Sequence, residues 1–274
     1  MNNVNKTLYI PLYGKAFVSR KGIILDDPKA EEIWAAEGFP LKGKSSSKWL
    51  AYYMGMRAAV FDRWLKARIE ADPSAAVVHI GCGMDSRCDR VGSWGGTWFD
   101  VDFPEVIQER SRYYQEDDSY KMLSADVRCA GWLEQLPAGN AIIVMEGVSM
   151  YLTPEELQQL LERLAAHFEG VHLLVDCYTQ FAAKASKVKN PINDVGVTRV
   201  YGLDDPKVLE KSGFVFAREL EMTPQELIGQ LQGVERKIFQ TLYGGSIARK
   251  MYRLYEYEHA GAKKIVPPIG ECAE

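Results

Sequence analysis

The stretch AAVVHIGCGMDSR, residues 75–87, decides the fold. Its first half is apolar apart from His79 and reads as a buried strand. It stops at Gly81, Cys82 and Gly83, and an acid, Asp85, follows. Glycines directly after a strand let another backbone or a ligand come close. In open parallel sheets this is the turn beside which nucleotides lie.

Outward from this turn the same rhythm repeats. GTWFDVDFP (96–104), YKMLSADV (120–127), AIIVMEG (141–147) and VHLLVDCY (171–178) read as four more strands. Helical patterns lie between most of them. The clearest is TPEELQQLLERLAAHF (153–168). There Thr153 is the cap, Pro154 takes the first helical position and Glu156 completes a capping box. Its apolar face is Leu157, Leu160, Leu161, Leu164, Ala165 and Phe168. Further on, GFVFARELEM (213–222) predicts a sixth strand and TPQELIGQLQGVERKIFQTLYGG (223–245) one helix with its own Thr-Pro start. RKMYRLYEYEHA (249–260) alternates and predicts a last strand.

Alternating strands and helices imply an α/β, Rossmann-like sheet covered on both faces. It is mostly parallel, with an antiparallel C-terminal strand. Before it, DDPKAEEIWAAEG (26–38) predicts a helix with Asp27 as cap, Pro28 in its first turn and Gly38 as its stop. Residues 45–72 predict a long amphipathic helix with Leu50, Met54, Ala58, Phe61 and Leu65 as its core stripe. The expected organisation is one domain over 1–274. It comprises an N-terminal helical cap (1–72), a nucleotide-binding core (73–178), a lid or insertion (179–212) and C-terminal strands with a helix (213–262).

Composition narrows the class. A formal charge of −4 with no basic stripe argues against nucleic acid as a partner. The five cysteines are odd in number and none has CxxC spacing, and the four histidines show no ligand spacing, so neither a disulfide framework nor a metal is expected. No apolar run reaches the roughly 20 residues that cross a bilayer. Residues 1–12 have no charged-then-apolar leader pattern. A reducing, cytoplasmic setting is expected.

An acid follows each of five strands: Asp85, then Asp100 and Asp102, then Asp126, Glu146 and Asp176. Asp is common in turns, but Glu146 follows five apolar residues and needs a partner or a ligand. A dinucleotide site wants GxGxxG, and here Ser86 replaces the third glycine. Asp85 stands where the pyrophosphate would approach, and like charges ~4 Å apart repel by roughly 1 kcal/mol in water and more near a protein surface. S-adenosylmethionine carries no phosphate and two positive centres, which suit an acidic rim. Asp102 is then expected on the ribose hydroxyls, with Asp100 as competitor, Asp126 near adenine and Glu146 near the methionine end. Arg57 is the candidate for the methionine carboxylate.

The same residues resemble the leucine carboxyl methyltransferase family, from about residue 7 to 220. The resemblance rests on PLYGKAFVSR with DDPKAEEI, YYMGMRAAVFD, IGCGMDSR, FDVDFPEVI, SADVR and, most specifically, EGVSMYLTPEE. It implies a class I methyltransferase sheet and S-adenosylmethionine as cofactor, leaving as S-adenosylhomocysteine. It implies cofactor contacts at Arg57, Gly81, Gly83, Asp102, Asp126, Val127 and Glu146, to which Lys15, Cys82 and Phe103 are added. Cys82 reads as a packed small side chain and not a nucleophile.

The implied reaction is in-line methyl transfer to an oxygen of a small molecule such as a polyketide. A carboxylate acceptor is already ionised at neutral pH, whereas a phenol needs help losing its proton. Tyr151, Tyr178 and Arg199 are the candidates for shaping the acceptor site. Two other functions compete: an NAD-dependent oxidoreductase on a Rossmann fold, and a cofactor-binding protein without catalysis.

Overall fold

Each of the seven apolar runs is a strand in the computed structural model, which describes residues 8–41, 43–186 and 199–259. They are β1 (Ala76–Ile80), β2 (Trp98–Asp102), β3 (Tyr120–Ser124), β4 (Asn140–Met145), β5 (Gly170–Tyr178), β6 (Phe214–Leu220) and β7 (Tyr252–His259). The sheet order is β3-β2-β1-β4-β5-β7-β6. Strands β1 to β5 are parallel. β7 slots antiparallel between β5 and β6, so the C-terminal strand is the reversed one.

The helices are α1 (Tyr9–Arg20), α2 (Pro28–Glu37), α3 (Lys48–Ala71), α4 (Arg87–Val91), α5 (Pro104–Arg110), α6 (Pro154–His167), α7 (Gln180–Ala185), α8 (Gln225–Ile228), α9 (Gly233–Leu242) and α10 (Gly245–Met251). Alternation along the strands divides the core in two. Val77, Ile142, Val144 and Leu174 pack with α1 and α3, while Val78, Ile80, Ile143, Met145 and Leu173 pack with α6. Strands buried on both faces must be apolar throughout, which is why these runs are legible.

Local signals hold where the chemistry is strong. Asp27 accepts the Ala30 amide at 2.9 Å, and Gly38 ends α2 in the left-handed region. Thr153 and Glu156 close their capping box. Three expectations need correction. α3 is buried almost all round from Ala51 to Leu65, not along one stripe, because α1 covers one side and the sheet another. The single helix expected over 223–245 is broken into α8, α9 and the start of α10. Gly233 and Gly245, the first residues of α9 and α10, take positive φ (52° and 54°), which one continuous helix does not allow. The Thr-Pro pair does not cap it either: Pro224 is extended and α8 starts at Gln225. Of the expected lid, residues 187–198 lie outside the described residues.

Candidate active site

Chain order reverses between β1 and β4, and a crevice opens there at the carboxyl ends of the strands. The loops after β1 to β5, with α1, the start of α3, α10 and the start of β7, enclose about 810 Å³. That is toward the top of the ~300–1,000 Å³ usual for ligand sites. All ten residues expected to hold a cofactor line it: Lys15, Arg57, Gly81, Cys82, Gly83, Asp102, Phe103, Asp126, Val127 and Glu146. Cys82 is buried and its thiol is pushed well up by burial, so it packs and does not react.

The glycine loop is shaped by its neighbours. Gly81 has φ 68°, and a Cβ there would come within 2.2 Å of Val148 Cγ2 in the loop after β4. The loop's amides are satisfied internally. Gly81 donates to Val101 O at 2.7 Å, Cys82 to the same oxygen at 3.4 Å, and Asp85 to Cys82 O at 3.0 Å. Gly83 donates to Asp102 Oδ2 at 2.8 Å. A pyrophosphate relies on such amides and on a helix start. Here four of them are engaged, and α4 has only five residues.

Asp85 does not stand bare in a guest's path, as the sequence reading expects. It is buried against Lys15 (3.1 Å), Arg90 (2.8 Å) and Arg87 (3.3 Å). Burial alone would raise its pKa, but these cations hold it well below the usual carboxylate range. The case against a phosphate therefore rests on the engaged amides and not on Asp85.

Asp85 belongs to a buried ionic cluster. Arg87 reaches Asp62 at 2.7 Å and also pairs with Glu146. Arg90 reaches Asp62 and Asp27, each at 2.6 Å. Arg57 Nε is 3.0 Å from Glu146 Oε1, and its Nη1 is 2.8 Å from Asp176 Oδ2. Against burial, Arg57 and Arg87 bring Glu146 down to about 2. The acids Asp27, Asp62, Asp85, Glu146 and Asp176 thus face the cations Lys15, Arg57, Arg87 and Arg90. There is one more acid than base, an excess that a cationic guest offsets. Sequence reasoning missed Asp62, Arg87 and Arg90. The available signal was arginines three apart at 87 and 90 beside Asp85, and an acid at 62 on an otherwise buried helix.

The strand-end acids are therefore mostly paired, contrary to the expectation that they stand open. Asp100 is fully buried, with Arg110 at 2.5 Å, the Tyr120 hydroxyl at 2.6 Å and the Trp98 indole N–H at 2.8 Å. It does not line the cavity. Asp126 is gripped by Arg128, whose Nη2 is 2.5 Å away. Asp102 differs: among the described residues no cation pairs with it. It accepts only amides, from Gly83 and, at 2.8 Å, from Phe103. Burial lifts its carboxyl to about 6, with those amides opposing. A carboxylate left in this state on a cavity wall is an acceptor awaiting donors.

The other end of the cavity is aromatic and apolar, lined by Trp49, Leu50, Tyr53, Tyr243, Ile247 and Tyr252. Tyr151 and Tyr178 are on the wall. Arg199 is not: it is exposed, its guanidinium 5.2 Å from the Tyr201 ring. Of the three candidates for the acceptor, two are brought to the cavity and one is not. Elsewhere, His172, Glu256 and Glu258 gather on β5 and β7 through strand register, which sequence spacing cannot reveal. Glu256 there already accepts from Arg68 and Arg218, so the group is an ion-pair cluster.

Comparison with known proteins adds the following. The family model described as Leucine carboxyl methyltransferase matches residues 4–165. The tetracenomycin polyketide synthesis O-methyltransferase TcmP of Streptomyces glaucescens is 27% identical over 262 residues, 94% of this chain and 97% of that protein. The S-adenosyl-L-methionine-dependent methyltransferase dpfgK of Gibberella zeae is 29% identical over 186 residues, 61% of each chain. Among solved structures, magnesium protoporphyrin IX methyltransferase from Synechocystis with bound SAH superposes with a TM-score of 0.50. At 14% identity, over 86% of this chain and 95% of that one, that likeness concerns the fold.

Proposed function

This chain belongs to the leucine carboxyl methyltransferase family, and we propose that it methylates a carboxylate oxygen of an apolar, ring-bearing small molecule. The chain is an S-adenosylmethionine-dependent methyltransferase. When bound, the cofactor would supply an electrophilic methyl group on a sulfonium to the acceptor oxygen, and its sulfur would keep the electron pair of the broken carbon–sulfur bond, giving S-adenosylhomocysteine.

The residues present fit that cofactor. Asp102 offers an unpaired carboxylate to two ribose hydroxyls. Asp126 and Val127 lie where the adenine edge would reach the end of β3. Lys15 and Arg57 answer the methionine carboxylate, and Glu146 the ammonium. The excess acid of the buried cluster favours the sulfonium charge. The N-terminal helices supply Lys15 and Arg57, so we treat cap and sheet as one catalytic unit.

The observation that carries the carboxylate reading is the make-up of the acceptor wall. Among the described residues it presents phenols and apolar side chains with Lys44, Ser47 and Ser186. The carboxylate at its edge, Glu146, is held by Arg57 and Arg87 and kept down at about 2, too weak a base for a phenol. The histidine on the cavity wall, His79, is buried between Arg87 and Asp100. An acceptor that arrives ionised needs no base, and catalysis is then positioning and desolvation of the oxygen. The Streptomyces relative acts in tetracenomycin polyketide synthesis, and a polyketide acid meets the same description. The sequence carries no basic stripe for a nucleic-acid partner, and no described helix is long and apolar enough to cross a membrane. The four described cysteines are free, which suits a reducing, cytoplasmic setting.

The test is product chemistry. Incubated with S-adenosylmethionine and a mixture of 2-naphthoic acid and 2-naphthol, the enzyme is expected to form a methyl ester that mild alkali cleaves. An alkali-stable methyl ether as the sole product would overturn the reading.

A further inference from the structure

We propose that Tyr252, together with Tyr178, holds the acceptor's carboxylate against the methyl donor by donating phenolic hydrogen bonds to it. The inference rests on the carboxylate reading above. Tyr252 is the first residue of β7 and Tyr178 the last of β5, and the two are directly paired in the ladder. Their positions are thus set by the sheet and not by a loop, which suits a site that must hold its geometry closely.

The placement is specific. The Tyr252 and Tyr178 rings meet edge to face, centroids 4.5 Å apart. The Tyr178 phenol is close enough to add to the rise of the Tyr252 pKa, behind burial as the main cause. The Arg57 guanidinium lies 5.9 Å from the Tyr252 ring, so the pair stands at the junction between the Arg57–Glu146 end and the aromatic lobe. That junction is where a reacting oxygen must sit. Tyr53 also packs on Tyr252, with ring centroids 5.7 Å apart.

The chemistry follows from the hydroxyl inventory. A hydrogen bond from a phenol to a carboxylate is about twice as strong as one to a neutral acceptor. A carboxylate offers about four acceptor positions, so both phenols can turn to it and still leave a lone pair for attack. Burial pushes the Tyr252 phenol far above its ordinary range, so it stays protonated and donates rather than accepting a proton.

The test uses the protein loaded with S-adenosylhomocysteine, titrated calorimetrically with 2-naphthoate and with neutral 2-naphthylmethanol. Tyr252→Phe and Tyr178→Phe are each expected to weaken 2-naphthoate about tenfold, the loss of one charge-assisted hydrogen bond. They should leave 2-naphthylmethanol and the S-adenosylhomocysteine affinity unchanged, which also shows that the variants fold. If both variants bind 2-naphthoate as tightly as the wild type, the tyrosine assignment fails alone. If the wild type itself does not bind 2-naphthoate, the carboxylate reading fails and this inference with it.

Discussion

The Gly83 amide lies 2.8 Å from Asp102 Oδ2 and ties the loop after β1 to the end of β2. This contact does two things at once. It removes an amide that a phosphate would use, and it holds on the cavity wall a carboxylate that no cation pairs with among the described residues.

Replacing that carboxylate separates binding from stability. Burial holds the Asp102 carboxyl at about 6, above its ordinary 3.8. The folded protein therefore binds this proton more tightly than the unfolded chain does. The stability from this group is full below the unfolded value and is lost as pH rises through about 6. Asp102→Asn removes the burial cost of the charge but sets its NH2 against the Gly83 or Phe103 amide. The stability of the ligand-free protein at pH 7, read by urea unfolding, should therefore change by no more than about 1 kcal/mol. The same variant should lose about 100-fold in S-adenosylhomocysteine affinity, as two charge-assisted hydrogen bonds to the ribose are weakened. A variant destabilised by more than that and equally tight would refute this.

How much of this was legible depended on whether a residue's partners were local. The strands were readable because Val77, Val78, Ile142 and Ile143 must be apolar on both faces of a covered sheet. Asp27 and Thr153 were readable because a cap acts within three residues. The cofactor set gathers on one wall because each member follows a strand or sits on α1 or α3. What sequence could not give was the pairing. Asp62 meets Arg87 and Arg90 across separations of 25 and 28 residues, so acids that looked open are in fact neutralised. The break of the helix expected at 223–245 was hidden because glycine inside a helical pattern does not say which φ it will take.

Arg87 holds three acids together, so it should behave as a structural charge. Arg87→Met leaves Asp62, Asp85 and Glu146 short of a partner and should cost about 3–5 kcal/mol, measured by chemical unfolding. A change within experimental error would show that the cluster relaxes without it.

Gly81 is constrained twice, by its positive φ and by Val148. Gly81→Ala should destabilise by about 2–4 kcal/mol, combining overpacking with the backbone penalty. Val148→Ala in the same chain should recover the overpacking share but not the backbone share. A double-mutant cycle with no coupling would mean the side chain of Val148 is not what excludes a larger residue.

The most direct test of the account is the pH dependence of S-adenosylhomocysteine binding, measured by calorimetry from pH 5 to 8 in the wild type and in Asp102→Asn. The ribose hydroxyls donate to the ionised carboxylate, so binding selects the deprotonated form. Affinity in the wild type should be flat above about pH 7 and fall about tenfold per pH unit well below 6, while the variant should be weak and level throughout. Superimposable profiles in the two proteins would contradict the assignment of Asp102 as the ribose acceptor.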